Sequence, residues 1–295
     1  MQISANGITL EVDDQGPPSG EPLLMIMGLG MPLVAWPDAL VQMLVSRGFR
    51  VIRFDNRDIG LSQHFDACGL PNLAWAGMRY AMHLEVRAPY SLRDMAGDAL
   101  GVLDALGLAS AHVVGASMGG MIAQHVAATR PERVHSLGLL MTTSGSRRLP
   151  QPGLRVRRAL LSRPAGSDSA AVVAHLQRVL RVIGSPAYPP DPALQQQALQ
   201  AMVARSWHPA GTARQIVAVI ADGDRSPLLG GIAAPTRVIH GLADPLVPAA
   251  AGRDLVARIP AAVADFVPGM GHDLPPALFE HFAAGITTNA ARWAT

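Results

Sequence analysis

Residues 113–121 read Val113-Val114-Gly115-Ala116-Ser117-Met118-Gly119-Gly120-Met121. One small hydroxyl residue stands between glycines, directly after a run of β-formers. The pattern is G-x-S-x-G, and its meaning depends on what flanks it. Upstream, Ala111–Val114 predicts a buried strand; downstream, Ile122 and Val126 share the face of a helix that runs to Arg130-Pro131. A sharp strand-to-helix turn holds its serine in a strained backbone region, and the glycines leave room for the chain to double back. The hydroxyl then stands above the sheet at a helix N-terminus, where unpaired N–H groups favour developing negative charge.

Working outward, apolar runs at Leu23–Met27, Arg50–Phe54 and Ser136–Met141 predict further interior strands. Asp38–Arg47 has helical spacing, and Ser91-Leu92-Arg93-Asp94 opens a capped helix that stops at Gly107. The first residues predict a hairpin: Gln2–Ala5, an Asn6-Gly7 turn, then Ile8, Leu10 and Val12 in alternation. Strand and helix alternate, which predicts an α/β fold with a mostly parallel central sheet flanked by helices. The rhythm breaks from Ser146 to Ser226, where only helical patterns occur. Val172, Leu176, Val179, Leu180 and Ile183 share one face, as do Leu194, Leu199, Met202 and Val203 after Asp191-Pro192. Strands resume at Pro235–His240 and Ala262–Val267. The expected organisation is a core from residues 1–144 and 227–295, with an inserted helical cap at 145–226.

A serine hydroxyl is a poor nucleophile until a base removes its proton. Of the 10 histidines, His112, His125 and His240 have core-like contexts, while His64, His83, His175 and His208 read as loop or cap surface. The candidate base is His272 in Pro268-Gly269-Met270-Gly271-His272-Asp273, a glycine-flanked loop after the last predicted strand. Its orienting carboxylate is Asp244, in Gly241-Leu242-Ala243-Asp244-Pro245 after the strand ending at His240. The other topological place for an acid reads Thr142-Thr143-Ser144-Gly145 and has none; Asp222 and Asp224 fall in the cap and Asp265 in mid-strand. The candidate catalytic set is therefore Ser117, Asp244 and His272. Met27-Gly28-Leu29-Gly30 follows a strand, and the backbone amides of Leu29 and Met118 are the expected oxyanion donors. Its Gly-x-Gly is not a dinucleotide loop, because Leu33 stands where the third glycine should be.

Composition narrows the rest. A hydrophobic content of 49% with 16% charged residues over 295 positions supports a large core and excludes wholesale disorder. All 24 Lys+Arg residues are arginine and the net charge is +2, so the high pI of about 9.2 reflects few titrating groups. It does not indicate a nucleic-acid surface. Arg147, Arg148, Arg155, Arg157, Arg158 and Arg163 crowd the start of the cap and read as a solvated face. Cys68 alone cannot form an internal disulfide and suits a reducing compartment. The N-terminal residues show no leader pattern, and the apolar run Leu23–Trp36 is broken by Gly28, Gly30 and Pro32. A cytoplasmic location without stable membrane insertion is expected. No metal-ligand spacing occurs, and no cofactor is expected. Core packing accounts for Met25 and Met27, whereas Met31, Met118 and Met270 are candidates to line an apolar pocket.

With those residues placed, Asp55-Asn56-Arg57-Asp58-Ile59-Gly60-Leu61-Ser62 is similar to the D-x-R-G-x-G-x-S loop of the α/β-hydrolase superfamily, with Asp58 where glycine is usual. Together with Met27-Gly28, Trp36-Pro37, GASMGG and GMGH, it resembles the aclacinomycin methylesterase-like branch of carboxylic ester hydrolases. The resemblance implies an ester hydrolase without naming a substrate; with the residues above, the expectation is a cofactor-free serine esterase whose apolar pocket selects a small hydrophobic ester. The resemblance does not extend to the cap. Haloalkane dehalogenases and epoxide hydrolases in the superfamily use an aspartate nucleophile, which Ser117 argues against. The same triad also serves carbon–carbon bond hydrolases, proline iminopeptidases and cofactor-free perhydrolases, and a ligand-sensing protein keeps the same fold. The residues leave those readings open, and they do not separate monomer from homodimer.

Overall fold

A computed structural model describes residues 1–293. In chain order its elements are β1 (Gln2–Ala5), β2 (Ile8–Gln15), β3 (Glu21–Ile26), α1 (Asp38–Ser46), β4 (Phe49–Phe54), α2 (Leu73–Ala81), α3 (Leu92–Ala105), β5 (Ala111–Ala116), α4 (Met118–Thr129) and β6 (Val134–Leu140). Five helices follow: α5 (Leu154–Leu160), α6 (Ser169–Ile183), α7 (Pro192–Arg205), α8 (Pro209–Asp222) and α9 (Ser226–Leu229). The chain closes with β7 (Thr236–Gly241), α10 (Ala249–Arg258), β8 (Ala262–Val267) and α11 (Phe279–Ala291).

The strands form one eight-stranded sheet in the order β1-β2-β4-β3-β5-β6-β7-β8. Only the β1–β2 and β2–β4 pairings are antiparallel; the other five are parallel. Because side chains alternate along a strand, each interior strand feeds two cores. Leu24, Ile26, Val113, Leu139 and Val238 face one apolar layer with α3 and α4. Leu23, Met25, Val114, Leu140 and Ile239 face the other, with α1 and α11. The alternation explains why these strands read as continuous apolar runs. The α3 capping box between Ser91 and Asp94 is present, and Asp191 caps α7 with Pro192 at its first position.

Between β6 and β7 the described residues contain helix and no strand. This helical segment has a small apolar cluster of its own: Val172, Val173, Leu199, Met202 and Val203, with Met31 and Ala35 of the sheet layer packed against it. No helix among the described residues is long and apolar enough to cross a membrane.

Candidate active site

β5 ends at Ala116 and α4 begins at Met118, leaving Ser117 at the corner with φ 54° and ψ −118°. A non-glycine residue there carries about 1–3 kcal/mol of strain and persists only where its surroundings over-determine it. They do so here. The Ser117 amide donates to the Leu140 carbonyl (2.9 Å), and the Thr142 hydroxyl donates to the Ser117 carbonyl (2.7 Å). A Cβ at Gly115 would overlap the Gly119 carbonyl, and one at Gly119 would overlap the Ile26 carbonyl. The elbow glycines are thus fixed by close backbone approach.

Ser117, Asp244 and His272 follow β5, β7 and β8, so all three emerge at the carboxyl edge of the parallel sheet. His272 Nε2 lies 3.0 Å from Ser117 Oγ, and its Nδ1 lies 2.7 Å from Asp244 Oδ2. With Nδ1–H donating to the carboxylate, Nε2 is left as the acceptor for the serine proton. The second oxygen of Asp244 accepts from the amides of Leu246 (2.9 Å) and Val247 (2.8 Å). His240 sits beneath it, donating from Nε2 to the Val247 carbonyl (2.7 Å). Burial pushes the His240 pKa down, so it is neutral near pH 7 and does not compete as a cation for Asp244. With His272 only 8% and Asp244 5% exposed, water screens this chain of hydrogen bonds little.

The loop after β3 lies against the serine: a Cβ on Gly28 would sit 3.2 Å from Ser117 Cβ. Asn56 Nδ2 donates to the Met27 carbonyl (2.9 Å) and the Leu33 amide donates to Asp55 Oδ1 (2.6 Å). Between those pegs the Gly30 amide donates to Gln215 Oε1 (2.9 Å). Among the described residues, neither the Leu29 nor the Met118 amide donates to a protein acceptor. Two backbone donors beside a serine and its base can stabilise negative charge on a substrate oxygen.

The helical segment reaches this site through polar contacts. At the end of α6 the Ile183 carbonyl accepts from the His272 amide (2.7 Å), and Ser185 Oγ accepts from the Gly271 amide (2.8 Å). The Ser185 hydroxyl also bonds Asp273, whose carboxyl burial pushes upward in pKa. Arg205 of α7 donates to Asp55 Oδ2 (2.7 Å). Arg214 of α8 forms a bidentate pair with Asp58 at 2.7 Å to each oxygen, and the Tyr90 hydroxyl and Phe65 amide donate to the same carboxylate.

Asp58 thereby acquires an explanation. Its φ of 73° is the left-handed conformation that glycine adopts freely, and aspartate is among the side chains that tolerate it. Burial opposes its ionisation, but the hydrogen bonds from Arg214, Phe65 and Tyr90 outweigh that and hold its pKa below the ordinary 3.8.

Several expectations need correction. Met270 is fully buried in the layer with Val267, Phe279 and Phe282 and offers no surface to a ligand; its carbonyl accepts from the Ala243 amide and ties the two loops together. The Met118 side chain is also buried, in the opposite layer. Met31 is half-buried where sheet layer and helical segment meet. His175, expected at the surface, is buried because α6 turns it inward. His208 bonds the Asp58 carbonyl and Asp66. His112, His125 and His240 are buried as expected, and the six arginines at 147–163 are exposed.

Gln215, Arg214, Arg205 and Ser185 were not legible as site residues. The one available sign was a polar Arg-Gln pair on the buried face of α8, where apolar residues belong. Among the described residues, two groups have ligand atoms spaced to hold a metal ion: Glu21, His112 and His135, and His64, Asp66 and His208. Neither includes a triad residue, and Asp66 already pairs with Arg214.

A serine, a histidine and a carboxylate in one hydrogen-bonded line at the carboxyl edge of a parallel sheet can support hydrolysis. A family model described as the alpha/beta hydrolase fold matches residues 21–274. The chain belongs to the α/β-hydrolase family. It is 31% identical over 308 residues to rhodomycin D methylesterase DauP of Streptomyces sp. (strain C5), covering 96% of this chain and 95% of the relative. It is 29% identical over 272 residues to a 2-hydroxy-6-oxononadienedioate/2-hydroxy-6-oxononatrienedioate hydrolase of Paraburkholderia xenovorans (strain LB400), covering 90% and 84%. The crystal structure of the enol-lactonase from Burkholderia xenovorans LB400 has the same fold, with a TM-score of 0.73, 24% identity, and coverage of 100% and 99%.

Proposed function

We propose that the protein is a cofactor-free serine hydrolase that cleaves a carboxylic ester through an acyl-enzyme, with residues 145–226 acting as a cap over the site. The observation that carries this reading is the hydrogen-bonded line Asp244–His272–Ser117 beside the two unbonded amides of Leu29 and Met118. Ser117 Oγ attacks the ester carbonyl carbon while His272 Nε2 takes its proton. The carbonyl oxygen becomes the tetrahedral oxyanion and is held by the two amides. As the C–O bond breaks, His272 returns the proton to the departing alcohol. Water then attacks the acyl carbon, His272 takes a proton from it, and the carboxylic acid leaves with Ser117 reprotonated. Asp244 stays ionised and steadies the imidazolium at each step.

Met31, half-buried where the sheet layer meets the helical segment, is the expected pocket residue that remains in reach of a hydrophobic substrate. Similarity to a methylesterase makes methyl esters the first natural class to test. A single cysteine suits the cytoplasmic location expected above. The experiment is hydrolysis of p-nitrophenyl esters across acyl lengths by the native protein and Ser117→Ala. Turnover is expected, with a loss of about ten-thousand-fold or more in the variant. A folded native protein that turns over no ester, methyl or aryl, overturns the assignment. The 2-hydroxy-6-oxononadienedioate hydrolase relative supports a second reading, carbon–carbon bond hydrolysis by the same serine and histidine, which cleavage of a 2-hydroxy-6-oxo-dienoate with no ester turnover would favour.

A further inference from the structure

We propose that Gln215, on α8 of the helical segment, is a positioning residue that holds the oxyanion loop in its working conformation. The hole is then complete only while that segment is seated. The inference rests on the serine-hydrolase reading above and names a part of the machinery that the reading leaves out.

At its centre the oxyanion loop has one long backbone bond of its own, from the Met31 amide to the Gly28 carbonyl (3.3 Å). Asn56 grips the Met27 carbonyl and Asp55 grips the Leu33 amide, so the core holds the loop at its two ends. Leu29, whose amide is the expected donor, stands between two glycines, and Gly30 adopts φ 69°. Glycine on both sides leaves that turn free to open into conformations that aim the Leu29 amide elsewhere. The Gln215 hydrogen bond acts there. Its Oε1 accepts from the Gly30 amide at 2.9 Å, which fixes the Leu29–Gly30 peptide plane. Its Nε2 donates to the Arg57 carbonyl at 2.9 Å, so the amide is held at both ends and cannot rotate without losing a bond.

The base beneath Gln215 is firm. Its side chain is fully buried, and Arg214, its neighbour in sequence, is locked to Asp58 by two hydrogen bonds. Thr212, one turn earlier, packs on the loop from the same side: a Cβ on Gly30 would lie 2.8 Å from its Cγ2. A buried amide that merely satisfied its own polar atoms would have no reason to select the one amide next to an oxyanion donor. Removing this peg lets the centre of the loop shift, and misplacement by about 1 Å can cost a hundredfold in rate.

The test compares native protein with Gln215→Met, which keeps volume but neither hydrogen bond, and Gln215→Glu, whose carboxyl keeps the acceptor for Gly30 and, held protonated by burial, a donor for the Arg57 carbonyl. Three quantities are read: amide hydrogen exchange in the peptide spanning 27–33, the rate of Ser117 labelling by a fluorophosphonate probe, and kcat and KM for a p-nitrophenyl ester. For Gln215→Met the expectation is faster exchange in that peptide, labelling and kcat each down by about ten- to a hundredfold, and KM within about threefold. Gln215→Glu should recover most of the labelling rate. Unchanged labelling with unchanged exchange overturns the proposal, as does a rise in KM alone. If Gln215→Met does not fold, Gln215→Glu decides: protection and labelling below a tenth of native overturn the role of the Gly30 acceptor. Labelling needs no natural substrate, so absence of ester turnover in native protein that still labels at Ser117 overturns the esterase reading alone.

Discussion

The elbow around Ser117 and the helices between β6 and β7 both hold the candidate site in place, by opposite means. At the elbow the chain positions the site with its own backbone. Gly115 and Gly119 have no room for a Cβ, Ser117 hangs between backbone hydrogen bonds, and the proposed oxyanion donors are main-chain amides. The helical segment works through side chains that reach 150 residues or more back along the chain: Arg205 to Asp55, Arg214 to Asp58, Gln215 to Gly30. Backbone positioning tolerates almost no substitution. Side-chain pegs can be exchanged for others, provided both partners change.

Breaking the backbone side of this comparison should have the largest effect. Gly119→Ala forces a methyl group into the Ile26 carbonyl, and we expect a loss above about 5 kcal/mol, enough to unfold much of a marginally stable protein. Soluble yield and urea unfolding report it; a native-like midpoint would mean that the elbow can relax. The side-chain arrangement should break in a graded way. Arg214→Met leaves the fully buried Asp58 carboxylate without its cation, at a cost of about 3–5 kcal/mol. The double variant Asp58→Gly, Arg214→Met restores the usual glycine and removes both charges. It should recover at least half of that loss in a urea titration. Equal destabilisation in single and double variants would show that Arg214 acts through packing alone.

The smallest effect is on pH dependence. The folded-state pKa of Asp58 lies below the ordinary aspartate value of 3.8. Its stabilising contribution is therefore complete above that value and is lost as pH falls through the depressed one. Between about pH 5 and pH 2 the native protein should lose more stability than the double variant. Parallel curves would exclude Asp58 as a source of acid sensitivity.

The same contrast explains what could be read in advance. Ser117, Asp244 and His272 were legible because each follows a strand whose apolar run marks its end, and because the turns carry glycine or proline. The same signals are what point to the Leu29 and Met118 amides as the proposed oxyanion donors. Arg205, Arg214 and Gln215 sit in helices whose pattern reports only which face is buried, and their partners lie in two loops far back in the chain. One sequence contains no trace of such a pairing. Asp58 is the instructive case: its departure from the usual glycine was visible, but its meaning required Arg214 and Tyr90 beside it. Met270 failed for another reason. Proximity to His272 in sequence suggested a pocket, whereas the turn at Gly269 and Gly271 carries the side chain down into the core.

The most direct test of the whole account is to trap the acyl-enzyme. The native protein would be mixed with p-nitrophenyl butyrate, quenched in acid within the first turnovers, digested, and the peptide containing Ser117 weighed. The account predicts a butyryl adduct on Ser117, formed with a burst of nitrophenol and absent in Ser117→Ala. Steady hydrolysis with no adduct on that peptide, retained by Ser117→Ala, would contradict it.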